Sequence, residues 1–293
     1  MEISKFHGTG VALVTPFNRD LTIDWEGLTN LLEHTISNGV DYLVAMGTTG
    51  ESATTTFQEK MQVLEFVTKN NNSNKPIVFG LGGNNTQSIL ESIKNTDFGA
   101  VDAILSVSPY YNKPTQPGLI EHYRSLADTS PVPVIIYNVP GRTSSNITAD
   151  TTIELAQHPN IIGVKEASGN LDQCIKIAKY TPDDFLLISG DDLLTVPLIS
   201  IGACGAISVL ANALPKIFSQ MVSLALNGNY VESRKYLNRI YDINPLMYVE
   251  SNPVGVKQAL QLLGICKNYV RSPLLPASQE LQKEITSRLK KLN

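Results

Sequence analysis

Residues 134–166 read VIIYNVPGRTSSNITADTTIELAQHPNIIGVKE. Two short apolar runs, Val134–Tyr137 and Ile161–Lys165, bracket a longer and more polar stretch. Short apolar runs separated by a segment long enough for a crossover helix are the pattern of parallel strands in a βαβ unit. The alternation extends in both directions. Val11–Thr15, Tyr42–Met46, Pro76–Gly80 and Ala103–Val107 precede the pair, and Phe185–Ser189 and Ala203–Ser208 follow it. These candidate strands recur about every 30 residues, the length of one βα unit. Eight such units predict an α/β fold closed into a (β/α)8 TIM barrel.

Signals between the runs predict helices. Thr56-Phe57-Gln58-Glu59 reads as a capping box, and Asn38-Gly39 as a helix C-terminus. Trp25, Leu28 and Leu32 share one helical face, as do Leu119, Ile120, Tyr123 and Leu126, and each stripe suits a barrel wall. After Ser208 the strand pattern stops. From Pro215 onward only helices are expected, the last opened by Pro276 and striped by Leu281, Ile285, Leu289 and Leu292. The expected organisation is therefore a catalytic barrel over residues 1–224 and a C-terminal helical domain over residues 225–293. An open doubly wound sheet would also alternate strands and helices, but the dinucleotide fingerprint G-x-G-x-x-G with its strand-end acid is missing. Gly80-Leu81-Gly82-Gly83 is the nearest approach, and a tight βα turn accounts for it without a phosphate.

Composition narrows the function classes. A chain of 293 residues, 42% of them hydrophobic, can bury one large core. A net charge of -4 with scattered Lys and Arg offers no basic face to nucleic acid. Met1-Glu2-Ile3-Ser4-Lys5 lacks the apolar core of a signal peptide, and no stretch is long and apolar enough to span a bilayer, so a soluble cytoplasmic enzyme is expected. Cys174, Cys204 and Cys266 are odd in number and far apart, which predicts reduced, buried thiols. Neither these nor His7, His34, His122 and His158 have metal-ligand spacing, so no metal is expected.

In such a barrel the chemistry belongs at the C-terminal ends of the strands. Ile161-Ile162-Gly163-Val164-Lys165-Glu166 puts a lysine at the end of a nearly apolar strand. One reading pairs it with Glu166 at the rim. The other makes it a Schiff-base nucleophile, because desolvation disfavours the ammonium and leaves a neutral amine able to attack a carbonyl. The preceding strand ends in Tyr137, whose phenol would face that amine and supply the proton transfers that imine chemistry requires. A third strand end, Met46-Gly47-Thr48-Thr49-Gly50-Glu51-Ser52, offers two hydroxyls and glycine-freed backbone N–H groups, a cradle for a carboxylate. Packing and helix capping would account for each of these residues singly; their coincidence favours chemistry.

Gly47-Thr48-Thr49-Gly50-Glu51, Tyr137-Asn138-Val139-Pro140-Gly141-Arg142-Thr143, Gly163-Val164-Lys165-Glu166 and Ser189-Gly190-Asp191-Asp192 occur in order across nearly the whole chain. Together they resemble the motifs of the pyruvate-dependent class I aldolase family that includes N-acetylneuraminate lyase. The resemblance implies a (β/α)8 barrel with a helical extension, an imine between Lys165 and pyruvate, and proton relay through Tyr137, Thr48 and Tyr111. It further implies that Tyr111 reaches into the site of a second subunit, so that a homodimer is the minimum unit and a tetramer of two dimers is compatible. By the same motif positions Thr49, Gly190 and Ile207 contact substrate, the last through its backbone.

Arg142 sets the expected substrate. A guanidinium just past the catalytic tyrosine can hold a second carboxylate with paired, charge-assisted bonds. That pattern resembles the members that condense pyruvate with L-aspartate 4-semialdehyde, a route needing no metal or organic cofactor. Two alternatives stay open: cleavage of N-acetylneuraminate or a 2-keto-3-deoxy sugar acid, and a noncatalytic barrel that senses 2-oxo acids. Members inhibited by lysine carry an effector site to which Ser52, Ala53, Asn84 and Tyr110 correspond, but Phe57, Lys60 and Ser88 replace its two histidines and its glutamate. Weak or absent feedback inhibition is expected.

Overall fold

The computed structural model describes residues 3–292; Met1, Glu2 and Asn293, which the readings of the N-terminus and of the 225–293 segment include, lie outside them. Eight parallel strands, β1 (Gly8–Ala12), β2 (Tyr42–Ala45), β3 (Ile77–Gly80), β4 (Ala103–Val107), β5 (Val134–Asn138), β6 (Ile161–Glu166), β7 (Leu186–Ser189) and β8 (Gly205–Ser208), close into a barrel in chain order, with β8 returning to β1. Helices cover the outside, as the alternation of runs predicts. Strands walled on both sides are apolar almost throughout, which is why they read as continuous runs. One core cluster fills the space between strands and helices, and a second fills the barrel interior with residues such as Val44, Leu105, Ile135, Ile188 and Ile207.

Seven strands lie within two residues of their expected ends, whereas β1 begins three residues before the expected Val11. Glycines explain the displacement. Gly8-Thr9-Gly10 looks like a turn, yet a Cβ on Gly10 would sit 2.3 Å from ring atoms of Tyr42, whose buried ring fills the barrel floor. Phe6 closes that floor with an edge-on contact to Tyr42, ring centroids 5.8 Å apart. Beyond Leu13, whose N–H still donates to Val44 O at 3.0 Å, the chain leaves the ladder, and the N–H of Val14 donates to Asn212 Oδ1 at 3.1 Å.

The helix signals hold where their chemistry is local. Thr56 and Glu59 form the reciprocal capping box of helix Phe57–Asn70, and helix Trp25–Ser37 ends at Asn38 before Gly39 at φ +94. The last helix starts later than expected, at Gln279, because the Ser278 hydroxyl rather than Pro276 caps it, accepting the N–H of Leu281 at 3.2 Å. Leu281, Ile285 and Leu289 are buried as the stripe predicts, while Leu292 lies past the helix end. After helix Pro215–Leu226, which packs on β1, come Tyr230–Ile240, a short turn Asn244–Met247 and helix Val254–Leu262. Residues 244–252 roof the C-terminal mouth of the barrel. No helix of the described residues is long and apolar enough to cross a membrane, and all three cysteines are buried.

Candidate active site

Lys165 lies in β6 at the register of Tyr137 on β5 and Ile188 on β7. Residues at one register on neighbouring strands face the same side of the sheet, and successive residues face opposite sides. Lys165 and Tyr137 therefore share the barrel interior, with the lysine Nζ 4.3 Å from the tyrosine ring centroid. Glu166 points the other way. Its carboxylate accepts from Asn138 Nδ2 at 3.0 Å, Gln173 Nε2 at 2.8 Å and the N–H of Ser168 at 2.7 Å. The rim pair Lys165–Glu166 does not form.

The lysine is 5% exposed and has no ion-pair partner within 4.0 Å among the described residues. Burial holds its pKa down at about 8; the charge of Asp192 opposes this and that of Arg142 adds to it. Burial pushes the Tyr137 phenol the other way, up to about 12, with Arg142 opposing. At neutral pH the phenol thus carries its proton, and the neighbouring ammonium loses its own more readily than an exposed lysine would. Asp192, buried and raised to about 6, accepts the N–H of Leu210 at 2.9 Å.

These groups open on a cavity of about 350 Å³ lined by Lys165, Tyr137, Thr48, Thr49, Arg142 and Gly190. Thr48–Gly50 is a 3-10 turn, shorter than the helix start that would cradle an anion alone, and Asn252 Nδ2 donates to Thr49 Oγ1 at 3.0 Å. No hydrogen bond joins Thr48 to Tyr137 among the described residues, although both line the cavity. A Cβ on Gly190 would lie 2.8 Å from Ala167 Cβ and 3.0 Å from Lys165 Cε, so any larger residue would press on the lysine. Gly80 is needed for a similar reason, since its Cβ would come within 2.3 Å of Met46 O, and packing absorbs the Gly80-Leu81-Gly82-Gly83 motif.

Two expected residues lie elsewhere. Ile207 is buried in the barrel interior and does not line the cavity. Tyr111 is 89% exposed, at φ +74, on a loop fixed by Asn112 Nδ2 to Asn84 O at 2.8 Å and Asn84 Nδ2 to Tyr110 O at 3.1 Å. Four polar lining residues escape sequence reasoning as site residues: Asp191 from the barrel, and Asn244, Tyr248 and Asn252 from the extension. Only the Gly190-Asp191-Asp192 motif hinted at the first. Nothing local marks the other three.

A closed barrel with a desolvated lysine beside a protonated phenol at its mouth defines a class: a (β/α)8 lyase that works on carbonyl carbon through an imine. The comparisons agree and narrow it. Residues 5–292 match the model of the dihydrodipicolinate synthetase family, and the chain belongs to that family. It is 53% identical over 276 residues to the 4-hydroxy-tetrahydrodipicolinate synthase of Cytophaga hutchinsonii, covering 94% of this chain and 93% of that one. Among solved structures it superposes on dihydrodipicolinate synthase from Aquifex aeolicus with a TM-score of 0.94, at 39% identity over 98% of both chains. The chloride-inhibited dihydrodipicolinate synthase from Acinetobacter baumannii, complexed with pyruvate, gives a TM-score of 0.95 at 37% identity over 98% of both chains.

Proposed function

We propose that the protein condenses pyruvate with L-aspartate 4-semialdehyde to give 4-hydroxy-tetrahydrodipicolinate, in the biosynthesis of diaminopimelate and lysine. The observation that carries this reading is the shared register of Lys165 and Tyr137 on one cavity. The Lys165 amine attacks the ketone carbon of pyruvate, and loss of water gives the imine. Loss of a methyl proton makes an enamine, whose carbon attacks the aldehyde. The amino group of the second substrate then adds to the imine carbon, closes the ring and releases Lys165.

Tyr137 moves protons at these steps, in a relay with Thr48 and with Tyr111 from a second copy. Thr49 and Gly190 hold pyruvate, and Arg142, at the rim, takes the carboxylate of the semialdehyde. The exposure and strained backbone of Tyr111 support a homodimer, to which a tetramer of two dimers can add. Residues 1–224 serve as the catalytic barrel and residues 225–293 as its extension. The enzyme works in the cytoplasm with neither nucleic acid nor membrane as partner. A steady-state assay tests the reading: turnover is expected with pyruvate and aspartate semialdehyde, and cleavage of N-acetylneuraminate in its place would assign the sugar-acid reaction.

A further inference from the structure

A second lysine is buried more deeply than the catalytic one. The side chains of Lys257, on helix Val254–Leu262, and Glu51, just past the Thr48–Gly50 turn, are 0% and 2% exposed. Lys257 Nζ donates to Glu51 Oε1 at 2.5 Å and to Tyr269 O at 2.8 Å, and lies 4.2 Å from the centroid of the Phe17 ring. Glu51 Oε2 accepts the backbone N–H of Arg271 at 2.9 Å. The guanidinium of Arg271 also lies over Phe17 and forks onto Glu59. Both carboxylate oxygens are thus engaged, and two cations face two anions.

Stability alone is a poor reason to retain such a pair, because desolvation offsets most of the attraction and apolar residues of similar volume do as well. Its location suggests another reason. Glu51 holds φ +55, a left-handed conformation that disfavours any residue but glycine, and its N–H closes the turn by donating to Thr48 O at 3.1 Å. Its anchored carboxylate keeps that bend in place. Five residues before Lys257, Asn252 reaches the same turn through Thr49 Oγ1 and lines the cavity. The extension therefore grips the turn at two points, Thr49 and Glu51. Sites held by such supporting contacts lose function when the support loosens, even where the fold survives.

We propose that Glu51 and Lys257 are positioning residues, a buried clamp by which the helical extension sets Thr48, Thr49 and Asn252 against the substrate. The proposal rests on the pyruvate chemistry above. It is tested with Lys257→Met and the double variant Glu51→Gln/Lys257→Met, in which the introduced amide keeps an acceptor for the Arg271 N–H but loses its tie to the helix. Thermal midpoints are measured beside the pyruvate dependence of borohydride-trapped adduct. The single variant is expected to melt earlier, because it strands a buried carboxylate. The double variant is expected to regain most of the midpoint, yet both should need at least about ten-fold more pyruvate for half-maximal trapping. If the double variant recovers both midpoint and pyruvate dependence, the pair serves only to dock the extension and the proposal falls. Should the single variant fail to fold, the double variant decides alone. A wild-type protein that traps no adduct removes the underlying chemistry instead, and the proposal with it.

Discussion

A lysine whose ammonium is disfavoured by burial becomes a usable amine at lower pH than an exposed one. With Lys165 held at about 8, the rate of imine formation at low pyruvate should rise through about pH 8 and level off above it. An inflection near the ordinary lysine value of 10.5 would contradict the geometry. The signs of the neighbouring charges are also testable. Asp192→Asn removes a charge that favours the ammonium and should move the inflection down; Arg142→Ala removes one that opposes it and should move it up. In the same Arg142→Ala variant, kcat/KM for aspartate semialdehyde should fall by an amount equivalent to about 1–3 kcal/mol, the worth of a hydrogen bond to a charged group. The same desolvation acts on folding. Between about 8 and 10.5 the native state binds fewer protons than the unfolded chain, so this cost to stability is full below pH 8 and is relieved as pH rises.

Elements were legible where their signals are local. The capping box at Thr56 and the stop at Asn38-Gly39 need only neighbours in sequence, and a buried strand such as Tyr42–Ala45 announces itself by unbroken apolarity. What failed depends on distant packing. Gly10 is in a strand because Tyr42 fills the space above it, and Asn244, Tyr248 and Asn252 reach the cavity because the extension folds back over the barrel mouth. A helical lysine is ordinarily a surface residue, and nothing near Lys257 in sequence reveals Glu51. The same dependence on packed elements bears on regulation. Phe57 and Lys60 on helix Phe57–Asn70, with Ser88 on helix Thr86–Lys94, offer neither a carboxylate for an α-ammonium nor a neutral setting for a cation, and burial already depresses the pKa of Lys60. L-Lysine should leave the initial rate nearly unchanged, whereas strong inhibition at submillimolar concentration would show that this surface accepts the cation despite Lys60.

The whole molecule has a divided catalytic apparatus if Tyr111 acts across an interface, and that division predicts complementation. Lys165→Ala and Tyr111→Phe variants, each nearly inactive alone, should regain about one quarter of wild-type sites when equal amounts are dissociated and reassociated, because half the dimers are mixed and each holds one intact site. No recovery from mixed dimers that demonstrably form would confine Tyr111 to packing. The barrel itself tolerates many reactions, so function rests on the site it carries rather than on the fold. Everything at that site turns on one covalent bond. Treatment of the protein with pyruvate and borohydride, followed by peptide mass mapping, should find a reduced pyruvate adduct on Lys165 and none in Lys165→Ala. An adduct of full yield on another residue, or undiminished in Lys165→Ala, would contradict the assignment.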